Sequence, residues 1–255
     1  MNNEFLDWEE ETKRNNSKML PKSIRGLIVG KSGCGKTCLL LNLLLEKKLL
    51  DYDKLIVYGK SLWQTKYKII KNGFDNNLDK EQVYNIFKNR EKIKDINPFE
   101  LIKEISETYP NKKNVIGCEY FENGEDIRDP AELNPNDKNL IIFDDVINEK
   151  QNKCTDYYCR GRHSNVDCFY LSQNYFKLPR QTIRENANFI CLFPQDTKNL
   201  NPIYQDHVSM DMSYDEFKKL CNQCWKKPYG FVVLDLSSDN GKYRYKLDTF
   251  YFPKK

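Results

Sequence analysis

One short segment, Gly30-Lys31-Ser32-Gly33-Cys34-Gly35-Lys36-Thr37, constrains the fold of this chain more than any other. It carries the pattern G-x-x-x-x-G-K-[ST] and lies between two apolar runs, Ile24–Val29 and Thr37–Leu50. The first run reads as a buried strand, and the second, apolar on most of its faces, as a buried helix. Glycines let successive backbone N–H groups turn inward, and the N-terminus of the following helix adds partial positive charge. The stretch from Gly30 to Cys38 therefore reads as a cradle for nucleotide phosphates. Within it Lys36 reaches the β- and γ-phosphates, and the Thr37 hydroxyl offers one oxygen to Mg²⁺.

The remaining chain supplies the sheet that such a loop needs. Strands are expected at Leu55–Tyr58, near Val115–Phe121, and at Leu140–Phe143, Val166–Leu171, Phe189–Phe193 and Gly230–Leu236. Asp79 to Gln82 opens an amphipathic helix carrying Val83, Ile86 and Phe87 on one face. Asn97-Pro98 opens another, with Leu101, Ile102 and Ile105 inward, and Ser213 to Glu216 forms a capping box before a third. Lys242–Phe250 alternates Tyr243, Tyr245 and Leu247 with Arg244, Lys246 and Asp248, as a half-buried strand does, and Ser237–Gly241 reads as the preceding hairpin turn. Alternating strands and helices imply an α/β fold: a P-loop NTPase with a mostly parallel central sheet, helices on both faces and a C-terminal antiparallel hairpin. The expected organisation is a polar arm over 1–22, anchored by Leu6 and Trp8, then a P-loop ATPase domain over 23–236 and a basic strand or hairpin over 237–255 packed on it.

Composition narrows the class. The 255 residues include 41 Lys+Arg and 37 Asp+Glu, a net charge of +4 that is too small to announce a nucleic-acid binder. Lys242, Arg244, Lys246, Lys254 and Lys255, against Asp248, carry the whole excess in the last fifteen residues; the plain reading is a solvated edge whose charges discourage strand pairing. No apolar run approaches the roughly 20 residues needed to span a bilayer, and the acidic N-terminus reads as no secretory leader. Nine cysteines, an odd number without framework spacing, point to free thiols in a reducing compartment. Cys221 and Cys224 share a helical stripe with Phe217 and Leu220, so they read as core.

Three further segments carry chemistry. Leu140–Phe143 ends in Asp144-Asp145, where the first carboxylate suits the Mg²⁺ shell and the second stands to orient an attacking water or merely caps the turn. Gln173 closes the next apolar strand and either serves as an ordinary loop hydrogen-bonder or hydrogen-bonds both a γ-phosphate and a lytic water. Between them lies Arg160-Gly161-Arg162-His163, whose arginines either pair with surface carboxylates or reach a neighbouring subunit's phosphate.

Taken in order, these segments resemble the FtsK–HerA superfamily of P-loop motors, and within it the genome-packaging ATPases of poxvirus-like large DNA viruses, virophages and Polinton-type elements. The resemblance rests on Gly30–Thr37, Leu62-Trp63-Gln64 with Tyr67, Ile141–Lys150, Gly161-Arg162-His163, Tyr170–Phe176, Leu178-Pro179, Ile183 to Asn186 and Tyr229–Leu236, and spans roughly residues 24–236. It implies a homo-oligomeric ring that hydrolyses ATP with Mg²⁺ and drives double-stranded DNA, independent of sequence, into a preformed capsid. Viral capsid or vertex proteins would be partners, and the site of action the host-cell cytoplasm, its viral factory, or the virion. By the same resemblance Lys36 and Thr37 hold nucleotide and metal, Asp144 is the Walker B acid, Asp145 the catalytic carboxylate (many related motors carry Glu there) and Gln173 the γ-phosphate sensor. Arg162 leads as arginine finger, followed by Arg160 and then Arg184. The family fold places the sensor strand between the two Walker strands. A nucleoside or nucleotide kinase, a nucleotide-gated capsid-assembly protein and a helicase-like relative are the rival readings.

Overall fold

Apolar residues alternate along each central strand, so the sheet they form has two greasy faces and needs cover on both. Leu27 and Val29 point into one layer with Ile141, Phe143, Cys168 and Tyr170, while Ile28 points into the other with Leu140, Ile142, Phe169 and Leu171. The computed structural model describes residues 14–89, 97–109, 115–238, 241–247 and 249–250. The expected anchors Leu6 and Trp8, the turn residue Asn240, Asp248, and Lys254 and Lys255 lie outside the described residues.

The strands are β1 (Arg25–Val29), β2 (Lys54–Gly59), β3 (Gly117–Phe121), β4 (Asn139–Asp144), β5 (Val166–Ser172), β6 (Phe189–Leu192), β7 (Val232–Asp235), β8 (Tyr243–Tyr245) and β9 (Thr249–Phe250). The helices are α1 (Lys36–Leu45), α2 (Thr65–Asp75), α3 (Lys80–Asn89), α4 (Pro98–Thr108), α5 (Asn152–Arg160), α6 (Thr197–His207) and α7 (Tyr214–Cys224). All the strands join one sheet in the order β3-β2-β4-β5-β1-β6-β7-β8-β9. Pairing is parallel from β3 through β6 and antiparallel from β6 to β9. Helices α1 to α4 contribute their buried residues to one layer and α5 to α7 to the other. The α/β class, the helices on both faces and the antiparallel C-terminal strands are as the sequence implies. Among the described residues no helix is long and apolar enough to cross a membrane.

Register aligns the carboxyl ends of the parallel strands. Val29 pairs with Ser172 and Leu192, Asp144 with Leu171, and Gly59 with Asp144. After β1 the chain crosses to β2, and after β5 it crosses to β6 on the other side of β1, so a crevice opens above the ends of β1 and its neighbours. That crevice is where the glycine-rich loop after β1 sits.

Two local expectations change. Helix α1 stops at Leu45, because Glu46 turns extended (φ −71, ψ 120) where buried leucines give way to exposed Glu46, Lys47 and Lys48. The strand expected over 242–250 breaks into β8 and β9 around Lys246, whose φ of 56 is left-handed. Arg244 does not face solvent as the alternation implied. It is buried, donates from Nη2 to Asp235 Oδ2 at 2.8 Å and from Nη1 to the Met19 carbonyl at 2.8 Å, and lies over the Phe189 ring. The chain around Met19 covers that face of β8, so both faces are closed. Lys242 is likewise paired, with Asp211. Two of the tail's basic groups are thus paired with carboxylates, Arg244 in the interior and Lys242 nearer the surface.

Candidate nucleotide-binding site

The loop after β1 is shaped by its own residues. Gly35, at φ 110, ends it in a conformation that side chains avoid, and a Cβ there would meet the Tyr229 ring at 3.2 Å and the Phe193 ring at 3.4 Å. Gly30 is needed for another reason: a Cβ would lie 2.5 Å from Cys34 Sγ and 2.7 Å from Phe193 Cβ. Helix α1 starts at Lys36 with no side-chain cap, so its first N–H groups and their positive partial charge face the loop. Lys36 folds its Nζ over the loop and donates to the carbonyls of Gly30 at 2.6 Å and Lys31 at 2.9 Å. Half-burial of the ammonium lowers its pKa, against the raising effect of Cys34, Asp144 and Asp145. Lys31, Ser32, Gly33 and Cys38 are exposed, while Cys34 and Thr37 are half-buried.

Strand β5 separates β1 from β4, so Asp144 stands about 10 Å of sheet from the loop's origin, within reach of one metal–phosphate layer. Burial pushes the Asp144 carboxyl up, against a hydrogen bond from Tyr67 and the charges of Lys66 and Lys36, which favour the carboxylate. Tyr67, only 1% exposed, donates its hydroxyl to Asp144 Oδ2. Its own carbonyl accepts from the Tyr120 hydroxyl at 2.9 Å, and the two rings meet edge to face. Asp145 turns away from the strand at φ 59 into an exposed position, where Oδ2 accepts from the Ser61 hydroxyl at 3.3 Å. Gln173 is exposed at the end of β5 on the same sheet edge. Two residues on, Tyr175 is buried and donates to Asp206 Oδ2 at 2.9 Å, with His207 Nε2 at 2.8 Å from its hydroxyl. Burial pushes the His207 imidazole down to about 4, so it is neutral near pH 7.

The structure therefore gathers Lys36, Thr37, Asp144, Asp145 and Gln173 at one edge and leaves the arginines elsewhere. Arg162 is exposed in the turn before β5, at the opposite edge of the sheet, roughly 20 Å along the strand from Gln173. Arg160 is held by its own chain, with Asp129 at 2.8 Å and Asp156 at 2.9 Å. Arg184 is buried, paired with Asp206 and stacked on the Tyr175 ring at 4.7 Å. From sequence, Tyr67 stands among the residues of the family resemblance without a role, and Lys66 has none. The available signal was helical spacing, since Tyr67, Ile70 and Phe74 form one buried face of α2.

Thr37 and Asp144 are both oxygen donors, a hard pair suited to Mg²⁺. Among the described residues no three His, Cys, Asp or Glu side chains cluster as a complete metal site, so such an ion would take its other ligands from phosphate and water.

The genome packaging NTPase B204 from Sulfolobus turreted icosahedral virus 2, in complex with AMP, is similar over 88% of this chain and 96% of its own, with 12% identity and a TM-score of 0.50. This chain has the P-loop ATPase fold. VirB4 of Thermoanaerobacter pseudethanolicus is similar over 85% of this chain and 87% of its own, with 11% identity and a TM-score of 0.46. No protein-family model and no curated protein sequence matches the chain. At these identities the likeness is one of fold, and the β5 position between β1 and β4 agrees with the order that the sequence resemblance implies.

Proposed function

We propose that this chain is an ATP-hydrolysing motor subunit that moves double-stranded DNA within a homo-oligomeric ring and packages a viral genome into a capsid. The observation that carries the reading is the convergence of the Lys36 loop, the Asp144-Asp145 pair and Gln173 on one sheet edge, with Arg162 exposed at the other. Lys36 and the loop N–H groups bind the phosphates, and Thr37 with Asp144 holds Mg²⁺, which when bound neutralises charge on the β- and γ-phosphates. Asp145, exposed beside them, orients the attacking water, and Gln173 hydrogen-bonds the γ-phosphate. Arg162 is too far along β5 to serve its own nucleotide, so its charge stabilises the transition state in a neighbouring subunit. That geometry asks for a ring. The AMP complex of B204, which shares the fold, supports nucleotide binding here. Capsid or vertex proteins are the docking partners, and the viral factory or virion the place of action.

The direct test is the NTPase rate with and without long duplex DNA across a salt series. Stimulation by DNA of any sequence, fading steeply as salt rises, is expected, because the contacts are to phosphates. Hydrolysis indifferent to DNA, or phosphate passed to an added nucleoside, would sink the motor reading.

Tyr67 offers a second, finer test. Its hydroxyl orients Asp144, and partners of metal ligands typically tune affinity about 10- to 100-fold. Tyr67→Phe is expected to raise the Mg²⁺ concentration for half-maximal hydrolysis about tenfold while the rate at saturating Mg²⁺ changes far less. An unchanged Mg²⁺ dependence would show that Asp144 is placed by the strand alone.

A further inference from the structure

The triphosphate end of the site is marked by Asp144, Asp145 and Gln173, all on the β4–β5 flank of the loop. A nucleotide threaded through the loop therefore leaves it on the opposite flank, over β6 and β7. On that flank lies a cleft of about 450 Å³, lined by Gly33 and Cys34 of the loop, Pro194 after β6, and the turn Trp225-Lys226-Lys227-Pro228-Tyr229 between α7 and β7. Its size suits a purine nucleoside.

The turn is built to hold one ring in place. Trp225 is half-buried and donates Nε1–H to the Leu192 carbonyl at 3.0 Å, pinning the turn to the end of β6. The Gly230 N–H donates to Lys227 O at 3.0 Å, and a Cβ at Gly230 would lie 2.2 Å from Cys224 O, so the chain can close this tightly only with glycine there. Tyr229 pays for the closure with a φ of 56, an unusual state for an aromatic residue. Strain of this kind persists where surrounding structure enforces it, and is concentrated at functional sites. The ring edge lies beside the loop, where a Cβ at Gly35 would meet it at 3.2 Å, yet Tyr229 stays 69% exposed.

We infer that this cleft receives the nucleotide base, stacked on Tyr229, and that it reads the base as a flat ring rather than by its hydrogen-bonding edge, so that adenine and guanine nucleotides are both accepted. The inference rests on the NTPase reading and extends it to substrate choice. Discriminating guanine requires an acceptor for its N1–H and amino group, whereas discriminating adenine requires a partner for its own amino group. The lining holds two lysines, two prolines, two aromatic residues, a glycine and a cysteine, with no carboxylate or amide side chain. Gln195, next to Pro194, folds its amide back to donate to the Phe193 carbonyl at 3.3 Å, and its Oε1 is sealed from solvent. Lys226 and Lys227 are exposed charges on flexible stems, suited to phosphate or ribose oxygens and poor at fixing a base edge. Stacking, by contrast, tolerates any base because each has a π-face.

Hydrolysis by the full chain should be followed with ATP, GTP, CTP and UTP, for the wild type, Tyr229→Asn and Tyr229→Phe. Asparagine removes the ring and tolerates the left-handed backbone, and phenylalanine keeps the ring. Binding of inorganic tripolyphosphate, measured by titration calorimetry, serves as the base-free control. The expected results are ATP and GTP within about threefold of each other in kcat/KM, a KM raised about tenfold by Tyr229→Asn for every nucleotide, near-wild-type values for Tyr229→Phe, and tripolyphosphate affinity unchanged in all three proteins. A preference beyond about a hundredfold for one purine overturns the inference. So does a Tyr229→Asn KM within twofold of wild type, or an equal loss of tripolyphosphate affinity, which would assign Tyr229 to shaping the loop. A wild type that neither binds nor hydrolyses any nucleotide removes the NTPase reading itself, an outcome distinct from those three.

Discussion

Lys36→Ala is expected to slow NTP hydrolysis by a factor on the order of 10² to 10³ at saturating nucleotide, with KM rising as well. The side chain is already committed to the loop: its Nζ donates to the carbonyls of Gly30 and Lys31 at 2.6 and 2.9 Å. An ammonium there is a fixed positive charge that needs little rearrangement when negative charge builds on the transferring phosphoryl group. Half-burial lowers its pKa, and Cys34, Asp144 and Asp145 work against that shift. Asp145→Asn separates binding from chemistry in the same assay. Asparagine keeps the size and the left-handed backbone (φ 59) but loses the carboxylate, so nucleotide should still bind while turnover falls about 100-fold. The measurement is kcat and KM for the wild type and both variants, with urea midpoints to confirm folding. Near-wild-type hydrolysis by Lys36→Ala would remove the loop from the reaction and leave only its fold.

The parts of this site that could be read from sequence are those whose neighbours lie close along the chain. The loop between an apolar strand and an apolar helix, the acidic pair ending β4 and the glutamine ending β5 are each a strand plus its next residues, and each stands at the expected strand end. The spacing could not order the strands; that order follows from crossovers on the two sides of β1. Side chains whose role depends on a distant partner were likewise hidden. Arg184 reads from sequence as a third arginine-finger candidate, but Asp206, on α6, pairs with it in the interior, and Arg244 reads as a solvated edge charge, but Met19 and Asp235 close over it. Helix α6 escaped the pattern because Pro202 lies inside it and reads as a break. Helix α2 carries Gly73, which reads as a break and serves close packing, since a Cβ would meet Val83 Cγ2 at 2.6 Å.

The largest loss of stability from one substitution is expected at Arg14, at the edge of the sheet opposite the nucleotide loop. Its side chain is 2% exposed and forms an ion pair with Asp167 at 3.3 Å, whose own side chain is 2% exposed. Its Nε donates to Asn165 Oδ1 at 2.9 Å, Nη1 to the Asp51 carbonyl at 3.1 Å, and Nη2 to the carbonyls of Asn139, at 2.6 Å, and Asn165. One guanidinium thus ties the chain before β1 to the start of β4, the turn before β5 and the approach to β2. Burial lowers the Arg14 pKa and raises that of Asp167, while each charge works against the shift of the other. Neither is comfortable alone. Arg14→Ala would leave a buried carboxylate and several buried carbonyls without their donor, and breaking such a pair costs about 3–5 kcal/mol. For a chain of this size that corresponds to a melting temperature lower by roughly 10 °C. Arg14→Lys should recover only part of the loss, because a single ammonium cannot meet acceptors spread around a planar fork. Because the Lys36 loop stands at the far end of the strands, KM for nucleotide at a temperature where the variants remain folded should match the wild type. Urea unfolding with an unchanged m-value and a lowered midpoint would establish the effect as one on stability, whereas a loss below about 1 kcal/mol would place Arg14 among ordinary surface pairs.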